Sequence, residues 1–187
     1  MQLWRGLVAL ALAVAAFAAT AETLPPAELA KPGRVLLLRH ANAPGTGDPA
    51  NFRIDDCASQ RNLDTVGREQ AAALGRRLSK AGITRAKVFS SQWCRCLETA
   101  RLLALGRVEP QPALNSFYPT PQERASRMAQ LREFLAALPS NGEPVILVTH
   151  QFTIAEMTGA GTPSGGGSLF QLNGTGSPRH IGDISPD

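Results

Sequence analysis

A three-layer α/β/α sandwich with a mostly parallel central sheet is the fold class this sequence predicts, and three observations predict it. Short apolar runs alternate with stretches of helical periodicity. Two of those runs, at residues 34–38 and 144–149, are apolar throughout their centres and flanked by breakers, the pattern of strands covered on both faces. The 187 residues, 43% apolar and 18% charged, are enough for one packed core and exclude a disordered or membrane-saturated chain.

Taken in order, residues 1–21 read as a secretory signal: Arg5, an apolar stretch from Gly6 to Ala18, then Ala19-Thr20-Ala21 as a small-x-small cleavage site. A single mature domain is expected over residues 22–187, in the periplasm or secreted. The apolar stretch is shorter than the ~18–20 residues of a spanning helix, so no stable membrane insertion is expected. Residues 22–33, rich in proline, form an extended lead-in, and the run 34–38 is the first strand, ending in Arg39-His40. Residues 41–62, with Pro44, Gly45, Gly47 and Pro49, make a loop of a length usually reserved for function. Asp64 caps a helix carrying Val66, Ala71, Leu74 and Leu78 and stopping at Ala81-Gly82.

Residues 87–90 form a second strand and 92–105 a second helix. Residues 108–115 are read as a third strand, and 122–138 as a long amphipathic helix with Met128, Leu131, Phe134, Leu135 and Leu138 on one side. The run 144–149 is the fourth strand, ending at His150. A glycine-rich stretch over 159–168 precedes two edge strands at 168–172 and 179–182.

Composition narrows the function. The formal charge is only +4, and no basic run interleaves with aromatics, so nucleic acid is not an expected partner. Of the three cysteines, Cys94 and Cys96 are too close for an easy mutual bridge, so Cys57 pairs with one of them and leaves one thiol over. A metal held by the Cys-x-Cys pair and a histidine lacks four converging ligands; no metal and no cofactor are expected.

Ligands in such folds bind beyond the carboxyl ends of the parallel strands. His40 and His150 both occupy such ends, whereas His180 falls in the polar tail. Arg39 precedes His40 directly, and Ser90-Ser91-Gln-Trp-Cys-Arg95 brings a second guanidinium to a third strand end. Two imidazoles and two guanidinium forks, with helix N-termini behind them, suit a phosphoryl group.

These residues also carry a resemblance. Arg39-His40-Ala41 is similar to the Arg-His-Gly motif of the histidine phosphatase (phosphoglycerate mutase-like) superfamily, branch 1. Leu63-Asp-Thr-Val-Gly67-Arg-Glu-Gln70-Ala71 resembles its Leu-Thr-x-x-Gly-x-x-Gln-Ala helix start. Ser90-Ser91-Gln-Trp-Cys-Arg95-Cys-Leu-Glu-Thr99-Ala100 resembles its Ser-Ser-x-x-x-Arg-Ala-x-x-Thr-Ala segment, and Val148-Thr149-His150 its distal histidine. The resemblance implies that His40 attacks phosphorus to form a phosphohistidine that water then hydrolyses. It implies that Arg39, Arg95 and His150 hold the phosphoryl oxygens, with Asn42 and Thr46 as further phosphate-binding candidates.

Neither of the family's habitual proton donors is present. Ser116 stands where branch 1 carries Glu in Leu-x-Glu, and Gln151 follows the distal histidine where the other branch has Asp. Asp55, Asp56, Glu123 and Glu156 are the candidate substitutes. The expected activity is hydrolysis of a sugar phosphate, a lipopolysaccharide phosphate or a phosphoramidate. Two alternatives are a phosphate-ester binding module of the same fold with little or no turnover, and a metal-dependent hydrolase using the histidines with Cys94 and Cys96.

Overall fold

The computed structural model describes residues 22–187, so the expected signal segment and its cleavage site lie outside the described residues. Six strands, β1 (Arg34–Arg39), β2 (Lys87–Ser90), β3 (Val108–Pro110), β4 (Val145–Thr149), β5 (Gly167–Gln171) and β6 (Arg179–Ile184), form one sheet in the order β3-β2-β4-β1-β5-β6. The first four run parallel, while β5 and β6 join antiparallel. Four helices cover the sheet: α1 (Thr65–Lys80), α2 (Cys94–Leu102), α3 (Arg124–Ala137) and α4 (Gln151–Thr158).

The apolar runs of β1 and β4 are explained by what covers them. Leu36, Leu38, Ile146 and Val148 pack under α1 and α2 against Leu74, Leu78, Cys96 and Ala100. Val35, Leu37, Val145 and Leu147 face the other way, onto Met128, Leu131, Leu135 and Ile154 of α3 and α4. Each such side chain contributes roughly 1.5–3 kcal/mol when fully buried, so the two central strands carry the three layers and fix where their ends lie. Asp64 caps α1 as expected, accepting the Gly67 N–H at 2.7 Å, and the helix stops before Gly82, whose φ is +93°.

Several elements differ from the expectation. The third strand is three residues long, because Pro110 and Pro112 remove ladder donors, and a 3-10 turn at Pro112–Leu114 follows it. The lead-in is not wholly extended: Pro26–Ala30 is a 3-10 turn that buries Leu29 completely. The second helix closes early, where Ala104 turns left-handed at φ 55°. The strand expected at 168–172 is not an edge, since β6 pairs along its outer side. Helix α4 was not expected at all. It is eight residues long and buries only Thr153 and Ile154, too little for a helical apolar period.

The cysteine pairing resolves to Cys57–Cys94, with Cα atoms 5.6 Å apart, leaving Cys96 as a buried thiol. The bridge fastens the loop of residues 41–62 to the first turn of α2. Closing a segment of 37 residues, it should contribute about 2–4 kcal/mol. Cys57→Ser, or reduction of the wild type, is therefore expected to lower the melting temperature; equal melting of oxidised and reduced protein would contradict this role.

Candidate active site

Strand register brings the two histidines together. In the β1–β4 ladder Leu38 pairs with Val148 and Arg39 with Thr149, so the residues that follow leave the sheet side by side. The His40 N–H donates to the Thr149 carbonyl at 3.0 Å, and the Ser91 N–H, following β2, donates to the Val148 carbonyl at 2.9 Å. The two imidazole centroids lie 5.6 Å apart in an edge-to-face arrangement. Three adjacent parallel strands thus deliver His40, His150 and Ser91 to one point.

His40 is 3% exposed. Its Nδ1–H donates to the Ala41 carbonyl at 2.8 Å, which leaves the lone pair on Nε2, and the Arg95 Nε–H points at that nitrogen from 3.2 Å. Burial above all, with the charges of Arg95, Arg61 and Arg39, pulls its pKa down to about 3. The ring is therefore a neutral base at any ordinary pH. His150, 4% exposed, turns Nε2 toward Ser91 Oγ at 2.9 Å and Cys96 Sγ at 3.5 Å. Burial, then the Arg95 charge, holds it well below the usual imidazole range.

The Ser91 hydroxyl has one proton and two neighbouring acceptors, His150 Nε2 and Asn115 Oδ1 at 3.2 Å. When it donates to Nε2, the His150 ring carries its own proton on Nδ1 and becomes a donor on its other edge. Cys96 does not compete as a nucleophile, since burial pushes its thiol up to about 12.

Arg95 is held more tightly than the sequence suggests. Its Nη1 and Nη2 donate to the two carboxylate oxygens of Asp48 at 2.8 and 3.2 Å, and both side chains are about 5% exposed. Asp48 also accepts from Trp93 Nε1 and from the Arg61 N–H, each at 3.0 Å. Burial alone would raise the Asp48 pKa, but the hydrogen bonds and charge of Arg95 outweigh it and hold the group below the usual carboxylate range. Sequence reasoning missed Asp48; its only signal was a place in the long loop. Arg61, at the end of the same loop, was not singled out either. It lines the cavity, and its guanidinium donates to the carbonyls of Gly47 (2.8 Å) and Ala43, shaping the loop. Arg39 donates through Nη1 to the Thr162 carbonyl at 2.7 Å, while its buried Nε–H has no protein partner.

The remaining motif residues clamp the backbone beside the nucleophile. Thr99 Oγ1 accepts the Ala41 N–H at 3.0 Å, and Gln70 accepts the Asn42 N–H at 2.9 Å while donating to the Ser164 carbonyl. Gly67 lets α1 approach: a Cβ there would lie 2.0 Å from the Asn42 carbonyl oxygen. The Asn42 side chain donates to Asp64 at 3.0 Å and does not line the cavity, so its suggested phosphate contact is replaced by a structural one.

The cavity, of about 180 Å³, is lined by Arg39, His40, Arg95 and His150 with Arg61, Asp48, Thr46, Ser116 and an outer rim. The four candidate acids do not line it. Asp55 pairs with Arg53, Asp56 caps a 3-10 turn, Glu123 pairs with Arg127, and Glu156 with Arg124. Asp48 is the only carboxylate at the cavity among the described residues. With Cys94 spent in the disulfide, the Cys-x-Cys metal reading loses a ligand.

The model of the histidine phosphatase superfamily (branch 1) matches residues 35–117. Among solved structures, one described as phosphohistidine phosphatase SixA from Agrobacterium tumefaciens is 21% identical, covering 83% of this chain and 99% of its own, with a TM-score of 0.59. The protein histidine phosphatase SixA complexed with tungstate is 19% identical over 82% of this chain and 97% of its own, TM-score 0.53. Mycobacterial glucosyl-3-phosphoglycerate phosphatase complexed with VO3 is 17% identical over 81% and 98%, TM-score 0.57. At these identities the likeness is one of fold. No curated protein matches.

A buried neutral histidine has a stability signature. Below the ordinary imidazole pKa the unfolded chain takes up protons that folded His40 refuses until about pH 3, so stability falls as pH drops through that window. From pH 7 to pH 5 the loss from His40 should be about 2 kcal/mol, whereas the ion pair of Asp48 is lost only at lower pH. Denaturant unfolding at the two pH values, in wild type and His40→Gln, measures it; the same pH dependence in both proteins would contradict the assignment.

Proposed function

We propose that this chain, whose residues 35–117 match the model of the histidine phosphatase superfamily (branch 1), hydrolyses a small phosphorylated substrate through a covalent phosphohistidine on His40. One observation carries the reading: a neutral imidazole whose Nε2 lone pair is held at the floor of a cavity walled by Arg39, Arg61, Arg95 and His150. The Nε2 lone pair forms the N–P bond as the bond from phosphorus to the leaving atom breaks. The Ala41 carbonyl accepts from Nδ1–H and so stabilises the positive charge that develops on the ring. Attack by water on the other side breaks the N–P bond and returns His40 to its neutral form.

Charge spreads over the equatorial oxygens in both transfers, and fixed donors placed there lower the barrier. Arg39 and His150 line the cavity and are the further donors assigned to those oxygens, His150 through Nδ1 when Ser91 donates to its Nε2; Arg95 offers its Nε edge, because Asp48 holds the other. Relatives of the same fold take up tungstate and VO3, anions that stand in for phosphate. Sugar phosphates, lipopolysaccharide phosphates and phosphoramidates are the substrate candidates. The protein acts after export, in the periplasm or outside the cell, a reading supported by the signal-like pattern of residues 1–21 and by a disulfide that suits an oxidising compartment.

The binding-module reading is favoured by one feature: the only cavity carboxylate among the described residues is an ion-paired anion, and protonating the leaving group typically contributes ~10²–10⁴-fold. Hydrolysis of p-nitrophenyl phosphate, whose leaving group needs no proton, separates the two readings. Steady turnover that persists in chelator is expected, abolished in His40→Ala and reduced about 10²–10³-fold in Arg39→Ala. A near-wild-type rate in His40→Ala would overturn the nucleophile, and tight phosphate binding without turnover would favour the module.

A further inference from the structure

The outer rim of the cavity has a chemistry that phosphate binding does not use. Tyr118, from the loop after the Pro112–Leu114 turn, and Phe152, from the first turn of α4, line the mouth together with Pro119. Their rings stack face to face, with centroids 4.9 Å apart and planes inclined by 12°. Each residue is nevertheless 46% exposed, and no other aromatic residue among those described is an exposed large apolar group. The phosphate-facing histidines and Arg95 are buried, so the cavity runs from a cationic floor to an aromatic lip. A loop of small residues, Gly45-Thr46-Gly47, also lines the cavity and borders the Tyr118 ring: a Cβ added to Gly47 would lie 3.7 Å from it.

The stacked pair presents half-exposed aromatic surface on which a further ring can pack, and it sits where the organic half of a phosphorylated substrate must emerge. We propose that Tyr118 and Phe152 are a binding subsite for a planar aromatic or heteroaromatic ring on the leaving group, which extends their stack as a third layer. This deepens the phosphatase reading and rests on it. A second, independent feature agrees. Among the described residues the cavity holds no carboxylic acid able to protonate a basic alkoxide, and a ring that delocalises the leaving electron pair dispenses with one. The cleavage itself is unchanged: the ring's oxygen or nitrogen takes the electron pair of the broken bond to phosphorus and is then protonated by water.

The test is calorimetric titration of the disulfide-bonded protein with non-hydrolysable ligands: inorganic phosphate, propylphosphonate and benzylphosphonate. Benzylphosphonate is expected to bind about 3- to 10-fold more tightly than propylphosphonate, the size of an aromatic pair beyond simple area burial. Phe152→Leu and Tyr118→Leu should remove most of that difference while leaving inorganic phosphate affinity within about twofold. Equal affinity for the two phosphonates in wild type, or a preference unaffected by either substitution, would overturn the subsite while leaving the phosphatase reading intact. Failure of all three ligands to bind would overturn both.

Discussion

His40 keeps a neutral ring, with its single proton on Nδ1, in a cavity lined by three guanidinium groups, and the surrounding construction follows from that constraint. Cations that favour a phosphoryl group also disfavour a proton on the nucleophile, so the same charges serve both needs. The Ala41 carbonyl then decides which nitrogen carries the remaining proton, leaving Nε2 to face Arg95. Unchecked, this cluster of positive charge would repel itself. Asp48 is the counter-ion, and with four donors satisfied it is a fixed part of the wall.

Positioning is shared between the sheet and the loop. Register between β1, β4 and β2 sets Ser91 within hydrogen-bonding distance of His150 and the two imidazole centroids 5.6 Å apart, because main-chain ladders leave little freedom at their ends. The loop of residues 41–62 has no such ladder and is fastened otherwise: by Cys57–Cys94, by Gln60 accepting the Cys94 N–H at 3.0 Å, and by Asp48 on Arg95 and Trp93. All three fastenings converge on the first turn of α2. Stability of the loop and orientation of Arg95 are therefore one property.

Much of this was legible in the sequence because it is periodic or local. The fully apolar runs gave β1 and β4, hence the positions of Arg39, His40 and His150, and the Asp64 cap gave the start of α1. The Cys57 pairing was legible only as a choice of two, since residues 94 and 96 differ by less than a helical turn. Asp48 was not legible, because a loop carboxylate finds its guanidinium through a tertiary path that no spacing encodes. Asn42 misled for the converse reason: beside a nucleophile a polar side chain suggests ligand contact, yet its partner is the helix cap at Asp64. Phe152 escaped notice with α4, an element too short to display a period. The motif glycine and glutamine, Gly67 and Gln70, matter through backbone contacts with the turn after His40, and not through phosphate.

Turnover by this route requires His40 Nε2 to carry the phosphoryl group. Rapid acid-free quenching of the protein with p-nitrophenyl phosphate, followed by peptide mass spectrometry at alkaline pH, reads this directly. An acid-labile, base-stable phosphoryl adduct is expected on the peptide containing His40, formed and discharged at rates that match turnover. Steady hydrolysis with that peptide unmodified throughout, or with the adduct on another residue, would contradict it.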